Sequence, residues 1–387
     1  MKNVDLIIIG GGMVGLALAA SLKECDLKIA LVERSPLTKP ISEVGFRVSA
    51  INLASENLLR QTQVWENLPR KTAYRQMQVW ERDSFAQIHF DSNSLGLSHL
   101  GHIVENHLIQ QALLQQVSTQ KNTEILTALP IQVNVGEDNL LLQLNDGQFL
   151  CGKLIVGADG ANSWLRKQAD IPLSFRDYGH HALVCNVKTA EPHQHTARQI
   201  FSGDSILAFL PLHEENLCSI VWSLPPEKAE FLTHCDNTEF NKQLSVAFDH
   251  QLGLCEVQSA RQTYPLTARY ARNFAQHRIA LIGDAAHTIH PLAGLGVNLG
   301  FQDALMLATE IKKYLHLQQD IGKYRHLRNF ERHRKTEAVK MLATMQGLKE
   351  LFATDNPLKK FIRGIGLSAV DKLPILKDEL IKQALGL

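Results

Sequence analysis

The apolar run VDLIII over residues 4–9 leads without a break into GGGMVG at residues 10–15. A run of this kind suits a parallel strand covered on both faces. Glycines at 10, 12 and 15 then fit a strand-to-helix turn. Gly10 permits the tight turn, Gly12 lets a pyrophosphate approach the backbone, and Gly15 lets the following helix pack close to the strand. The pattern predicts a helix over 16–22 and a second strand over 28–32 that ends at Glu33, 18 residues beyond Gly15. A carboxylate at that point can accept hydrogen bonds from an adenosine ribose. The N-terminus therefore reads as one βαβ unit for a dinucleotide, and the loop by itself does not separate NAD from FAD.

Two later segments make that choice. LIVGADG at 154–160 carries a buried strand into Asp159 and Gly160, with Ser163 and Arg166 at a helix start. A turn capped by Asp159 is the plainer reading of this stretch taken alone. The apolar run IALI at 279–282 leads into GDAAHTIHPLAGLGVNLG at 283–300. Asp284, at the strand end, can bond a polyol such as a ribityl chain. Residues 294–298 offer amides at a helix N-terminus, suited to the electron-rich pyrimidine edge of a flavin. NAD needs none of this, so the three motifs together select FAD. Arg47 follows a glycine-containing loop and can reach a pyrophosphate or serve in a surface ion pair. His287 and His290, with only Asp284 nearby, make an incomplete ligand set, and the bend at Pro291 suits backbone shaping, so no metal is expected. His290 reads as a neighbour of the flavin ring.

Forty basic against thirty-nine acidic side chains leave a formal charge of +1, which gives no electrostatic ground for nucleic-acid binding. The six cysteines lie far apart without a CxxC pair, as in a reduced cytoplasmic protein. The N-terminus lacks the pattern of a signal peptide, and no apolar stretch approaches the roughly 20 residues that span a bilayer. Residues 107–117 read as a helix, and 140–149 as a hairpin turning at Asn145, Asp146 and Gly147. From about 177 to 264 the pattern changes to short β-like runs at 182–187, 206–210 and 217–224. They indicate a mainly antiparallel sheet inserted in the nucleotide domain, and the alternation over 76–90 points to the same sheet. After Gly296 the pattern is helical to the end, with a break around 354–357. The expected division is a cofactor domain of 1–75, 98–176 and 275–330, a substrate domain of 76–97 and 177–274, and C-terminal helices over 331–387. Val339, Leu342, Met345, Leu348 and Phe352 recur at helical spacing, followed by Lys359, Lys360 and Arg363. This stripe reads as core packing or a subunit contact, with a membrane-surface or partner helix as the alternative.

With these motifs in place the chain resembles, over essentially its full length, the class A flavoprotein aromatic hydroxylases shaped like p-hydroxybenzoate hydroxylase. Within that class it is similar to the ubiquinone-biosynthesis hydroxylases of the UbiH, UbiF and VisC group, and most to the VisC-type (UbiI) polyprenylphenol hydroxylases. DSFAQIHFD, LGHIVEN, ADIPLSF, ILAFLPL, LCSIVWSLPPE and GDAAHTIHPLAG carry the resemblance. It implies an α/β fold: an FAD-binding Rossmann domain, an inserted mainly antiparallel β-sheet substrate domain and a C-terminal helical tail. Gly10, Gly12, Met13, Gly15, Glu33, Arg34, Arg47, Asp159 and Asp284 match FAD-binding positions, and Gly296, Val297 and Asn298 match the amides at the flavin pyrimidine. His290, Pro291 and Leu295 match the surroundings of the reactive ring, with Leu295 standing where relatives usually carry Gln. No general base is assigned.

The implied reaction is hydroxylation of a polyprenylphenol at ring position five through a flavin hydroperoxide. It would use O2 and electrons from NAD(P)H or another reductant. Hydroxylation at another ring position and a non-catalytic FAD-binding subunit are the alternatives. The resemblance also implies a homo-oligomer working within a ubiquinone-biosynthesis protein complex, with peripheral contact to a membrane.

Overall fold

The computed structural model describes residues 1–37, 44–82, 84, 87–288 and 296–352. The N-terminal unit forms as its pattern predicts, with strand Leu6–Ile9 wholly buried, helix Met13–Ser21 and strand Ile29–Glu33. These strands belong to a six-stranded sheet ordered Ala275–Gln276, Ile279–Leu281, Leu154–Gly157, Leu6–Ile9, Ile29–Glu33, Thr123–Thr127. All neighbours run parallel except the first pair. Gly157 pairs with Ile9 on one side and with Leu281 on the other. The strand ends that precede the three motifs are therefore adjacent, on the carboxyl edge where open α/β sheets bind ligands.

A nine-stranded sheet contains the segments expected to be inserted. Its order is His287–Thr288, Gln262–Ala271, Leu173–Thr189, Leu217–Leu224, Ser205–Pro211, Thr196–Ser202, Gln76–Glu81 and Gln87–Asp91, with Cys255–Val257 paired beside Leu173–Thr189. Every pairing is antiparallel except that of Thr196–Ser202 with Gln76–Glu81. Strand Leu173–Thr189 starts earlier than the alternation suggests, because exposed residues 174–177 hide it and the register slips between Asp177 and His180 at Gly179, whose φ is +67°.

Alternation divides this sheet into two faces. Leu183, Cys185, Leu207, Phe209, Ile220 and Trp222 pack with Phe240, Leu244 and Phe248 beneath helices Pro226–His234 and Asn237–Ala247. On the opposite face Tyr178, Ala182, Leu266 and Ala268 pack with Val221 and Leu342, and Ile206 meets Leu299, Met341 and Leu342. Asn186 and Ser219, also on this side, bond the backbone carbonyls of residues 44–46. The second face is thus turned toward the loop at 44–46 and the two C-terminal helices.

The C-terminal pattern divides where the sequence showed no break, into helices Gly296–His316 and Tyr324–Phe352. The connection closes on Arg278, which is fully buried and donates to Lys153 O (2.7 Å), Glu137 O (2.6 Å) and Asp320 Oδ2 (2.5 Å). The expected break at 354–357 and the basic cluster at 359–363 lie outside the described residues. In the tail stripe Leu342 packs inward while Val339 is half exposed. No described helix is long and apolar enough to cross a membrane. All six cysteines are free thiols, and burial pushes those of Cys185 and Cys218 up to about 12.

Candidate functional site

The glycine loop shows three different constraints. Gly10 has φ +108°, a region that L side chains rarely adopt. A Cβ on Gly15 would press into the carbonyl oxygen of Gly10 and stand 3.1 Å from Ala158 Cβ, so this glycine is required by packing alone. A Cβ on Gly12 would have nothing within 4 Å, which makes Gly12 the open side of the loop. Glu33 Oε2 accepts the N–H of Gly11 at 2.6 Å, which fixes its carboxylate beside the loop, while Arg34 next to it is exposed. Met13 is partly buried against the core. Gln110, from helix Asn106–Ser118, donates to Gly11 O at 2.8 Å, a contact with no local signal in the sequence.

In the second motif Asp159 does what the plainer reading expected. Its Oδ2 accepts the amides of Trp164 (2.6 Å) and Leu165 (3.1 Å), capping helix Trp164–Gln168 together with Ser163, whose Oγ accepts Arg166 N. Asp159 Oδ1 is buried with no hydrogen-bond partner among the described residues. Arg166, itself buried, donates to Ala161 O and Ala285 O, each at 2.8 Å, and so fastens the second motif to the third.

The third motif turns at Gly283, with φ +59°, and places Asp284 in the turn Gly283–Ala285. Asp284 is exposed although many protein atoms lie around it. That crowding pushes its carboxyl above the usual carboxylate range, opposed by the fields of His287, Arg47 and Arg269. Arg47 is exposed and lies over the ring of Tyr264, 5.3 Å from its centroid. Arg47 thus lies over Tyr264 while its charge is felt at Asp284.

The start of helix Gly296–His316 is fixed by side-chain bonds. Asn298 is buried, donates to Ala50 O at 2.8 Å and accepts Asn52 N–H at 3.1 Å, so its side chain anchors the helix start. Val297 is partly buried against the core, and a Cβ on Gly296 would have nothing within 4 Å. His287 is buried and bonded to Asp303 Oδ2 at 2.7 Å, which commits it to the fold. His290, Pro291 and Leu295 lie outside the described residues. Elsewhere Glu56, His99 and His102 bring ligand atoms within 4.8 Å of one another, but Arg60 donates to Glu56 Oε1 at 3.0 and 2.8 Å and already balances that carboxylate.

These residues fit FAD. Open glycines at 12 and 296 leave backbone amides approachable at two helix starts, Glu33 is held beside the first, and a solvent-reached Asp284 lies between them. Three motifs on adjacent ends of a parallel sheet, facing an inserted antiparallel sheet, define an FAD-binding oxidoreductase. The chain belongs to the FAD binding domain family (FAD_binding_3), whose family model matches residues 3–343. It is 33% identical to the 3-demethoxyubiquinol 3-hydroxylase of Escherichia coli (strain K12), over 100% of this chain and 99% of that protein. It is 31% identical to the mitochondrial ubiquinone biosynthesis monooxygenase COQ6 of Xenopus tropicalis, over 97% of this chain and 92% of that one. The fold matches the crystal structure of p-nitrophenol 4-monooxygenase PnpA from Pseudomonas putida DLL-E4 with a TM-score of 0.80 at 17% identity, covering 100% and 99% of the two chains. The chain is an FAD-dependent monooxygenase.

Proposed function

We propose that this chain hydroxylates the ring of a polyprenylphenol in ubiquinone biosynthesis, at ring position five. The observation that carries the substrate class is the inward face of the nine-stranded sheet. Ala182, Val221, Leu266 and Ile206 present small and branched apolar side chains there, with Leu299 and Leu342 packed against them from the two C-terminal helices. An apolar region of this kind suits an aromatic ring that bears an isoprenoid chain. The names of the curated relatives support the same pathway. Hydroxylation at position three is the second reading, favoured by the name of the Escherichia coli relative.

In this reading Gly10, Gly12, Met13, Gly15, Glu33, Arg34 and Arg47 hold the adenosine and pyrophosphate, and Asp159 and Asp284 the ribityl region. Gly296, Val297 and Asn298 hold the pyrimidine edge, and His290, Pro291 and Leu295 surround the ring. When bound, FAD supplies the oxygen-activating chemistry, with NAD(P)H or another reductant as electron source. The protein's own residues position it, present the substrate and keep water from the ring. A cofactor domain of 1–75, 98–176 and 275–330 with a substrate domain of 76–97 and 177–274 belongs to this proposal. So do a cytoplasmic location, a homo-oligomer and membership of a biosynthetic complex.

The test is mass spectrometry of quinone intermediates in the source organism with the gene deleted and then restored. Accumulation of the polyprenylphenol lacking the position-five hydroxyl, reversed by the gene, supports the first reading. Accumulation of a demethoxy intermediate moves the enzyme to position three. The purified holoenzyme is then given each candidate ring under O2 with reductant, and consumption of neither sinks both readings.

A further inference from the structure

We propose that Asp303, held by Arg334 and His287, is the positioning residue that fixes the Gly283–Asp284 turn for FAD. The inference rests on FAD binding at the three motifs described above. Asp303 is fully buried in helix Gly296–His316. Its Oδ2 accepts the N–H of Gly283 at 2.9 Å and meets His287 Nε2 at 2.7 Å, while Oδ1 accepts Arg334 Nε at 2.6 Å. Arg334 also donates to Leu299 O at 3.2 Å, near the start of the helix that carries Asp303. One carboxylate therefore joins the strand end, the segment after it, the helix that begins at Gly296, and helix Tyr324–Phe352.

A buried ion pair that served only to balance charge would need Arg334 and nothing more. Here the oxygen not used by Arg334 accepts the backbone amide immediately before Asp284, at a glycine whose positive φ makes the direction of the next carboxylate sensitive to any rotation. His287 shares that oxygen and prevents it from swinging away. Burial opposes the charge, but His287 and Arg334 together hold the carboxyl below the usual range, so the acceptor stays ionised. The consequence is that the aim of Asp284 depends on Arg334, which lies 50 residues further along the chain.

Removing Asp303 alone strands a buried guanidinium and tests stability more than position. The informative variants are the charge-balanced pair D303N/R334Q, the conservative R334K, and H287Q, which leaves the ion pair intact. Each apoprotein is titrated with FAD by flavin fluorescence, its apo Tm is recorded, and the visible circular dichroism of the saturated flavin is compared with wild type. The expected result for D303N/R334Q is an apo Tm close to wild type, a Kd for FAD raised at least tenfold, and an altered flavin circular dichroism. R334K keeps Kd within about threefold, and H287Q raises it with little change in Tm. Wild-type Kd and wild-type flavin spectrum in D303N/R334Q would reduce the pair to a stabilising role and overturn the proposal. If D303N/R334Q does not fold, a wild-type Kd in H287Q does the same. Failure of the wild-type apoprotein to bind FAD would instead remove the reading on which the inference rests.

Discussion

Two glycines three residues apart should separate folding from cofactor binding. Gly12 stands in extended backbone (φ −73°, ψ 176°), which alanine adopts without strain, and an alanine Cβ there would meet nothing within 4 Å. Gly12→Ala should therefore leave the apoprotein at wild-type stability, or raise it by up to about 1 kcal/mol through the less flexible unfolded chain. In Tm this is a rise of 0 to about 4 °C. The same methyl occupies the approach of a pyrophosphate and should displace one or two charge-assisted hydrogen bonds. At roughly 1.5–3 kcal/mol each, the loss is about 3 kcal/mol, or a Kd for FAD some hundredfold weaker.

Gly15→Ala has the opposite signature. Its Cβ presses on the Gly10 carbonyl oxygen and on Ala158, neither of which is a flexible side-chain end, so helix and strand must separate. The expected cost to the apoprotein is about 3 kcal/mol, lowering Tm by roughly 6–12 °C. Differential scanning fluorimetry of FAD-free protein and FAD titration measure the two quantities separately. Wild-type FAD affinity in Gly12→Ala, or equal loss of apo stability in both variants, would refute the reasoning.

Other consequences are equally direct. Glu33→Ala removes both the acceptor for Gly11 N–H and the carboxylate proposed for the ribose, and FAD titration should show Kd raised 10- to 100-fold, with Glu33→Gln less affected. Arg278→Met takes the guanidinium from the carbonyls of Lys153 and Glu137 and from the Asp320 carboxylate, so urea unfolding should report a loss of about 3 kcal/mol. Around Glu56, burial opposes the charge but His102, Arg60 and His99 outweigh it and lower the carboxyl from 4.5 to about 2. A depressed folded value means that this stability is present above about 4.5 and is lost as pH falls toward 2, by on the order of 2 kcal/mol after solvent screening. Glu56→Gln should flatten that part of the curve of urea midpoint against pH; an unchanged slope would remove the assignment.

The parts of this structure that were legible in the sequence are those whose causes are local. Gly10, Gly12, Gly15 and Glu33 announce a strand, a turn and a helix within thirty residues, and each stands as expected. The alternation over 76–90 indicated a strand pair, but only the structure gives its parallel partner at 196–202, some 120 residues away. Strand Leu173–Thr189 was half hidden because its first residues leave the sheet's packed faces and alternate with nothing. Asp159 was read both as cap and as cofactor contact, and geometry assigns one oxygen to the cap.

Gln110 and Asp303 escaped, as did the bond from Arg166 to Ala285 O, because their partners lie far off in sequence and leave no mark on composition or periodicity. A weak signal existed for Asp303. It falls on a helix whose buried positions include Phe301, Ala304, Leu307 and Ile311, and an acid on such a face requires a donor from elsewhere.

The order of strands in the nucleotide-binding sheet also sets a schedule for synthesis. Strand Leu6–Ile9 can pair with Ile29–Glu33 almost at once, but its other edge is reserved for Leu154–Gly157, and that strand in turn waits for Ile279–Leu281. At roughly 5–20 residues per second, a ribosome needs between about 14 and 55 seconds to go from the first of these strands to the last. For that time an apolar edge in the middle of the future sheet stands open, and truncations that stop before Ile279 keep it open permanently.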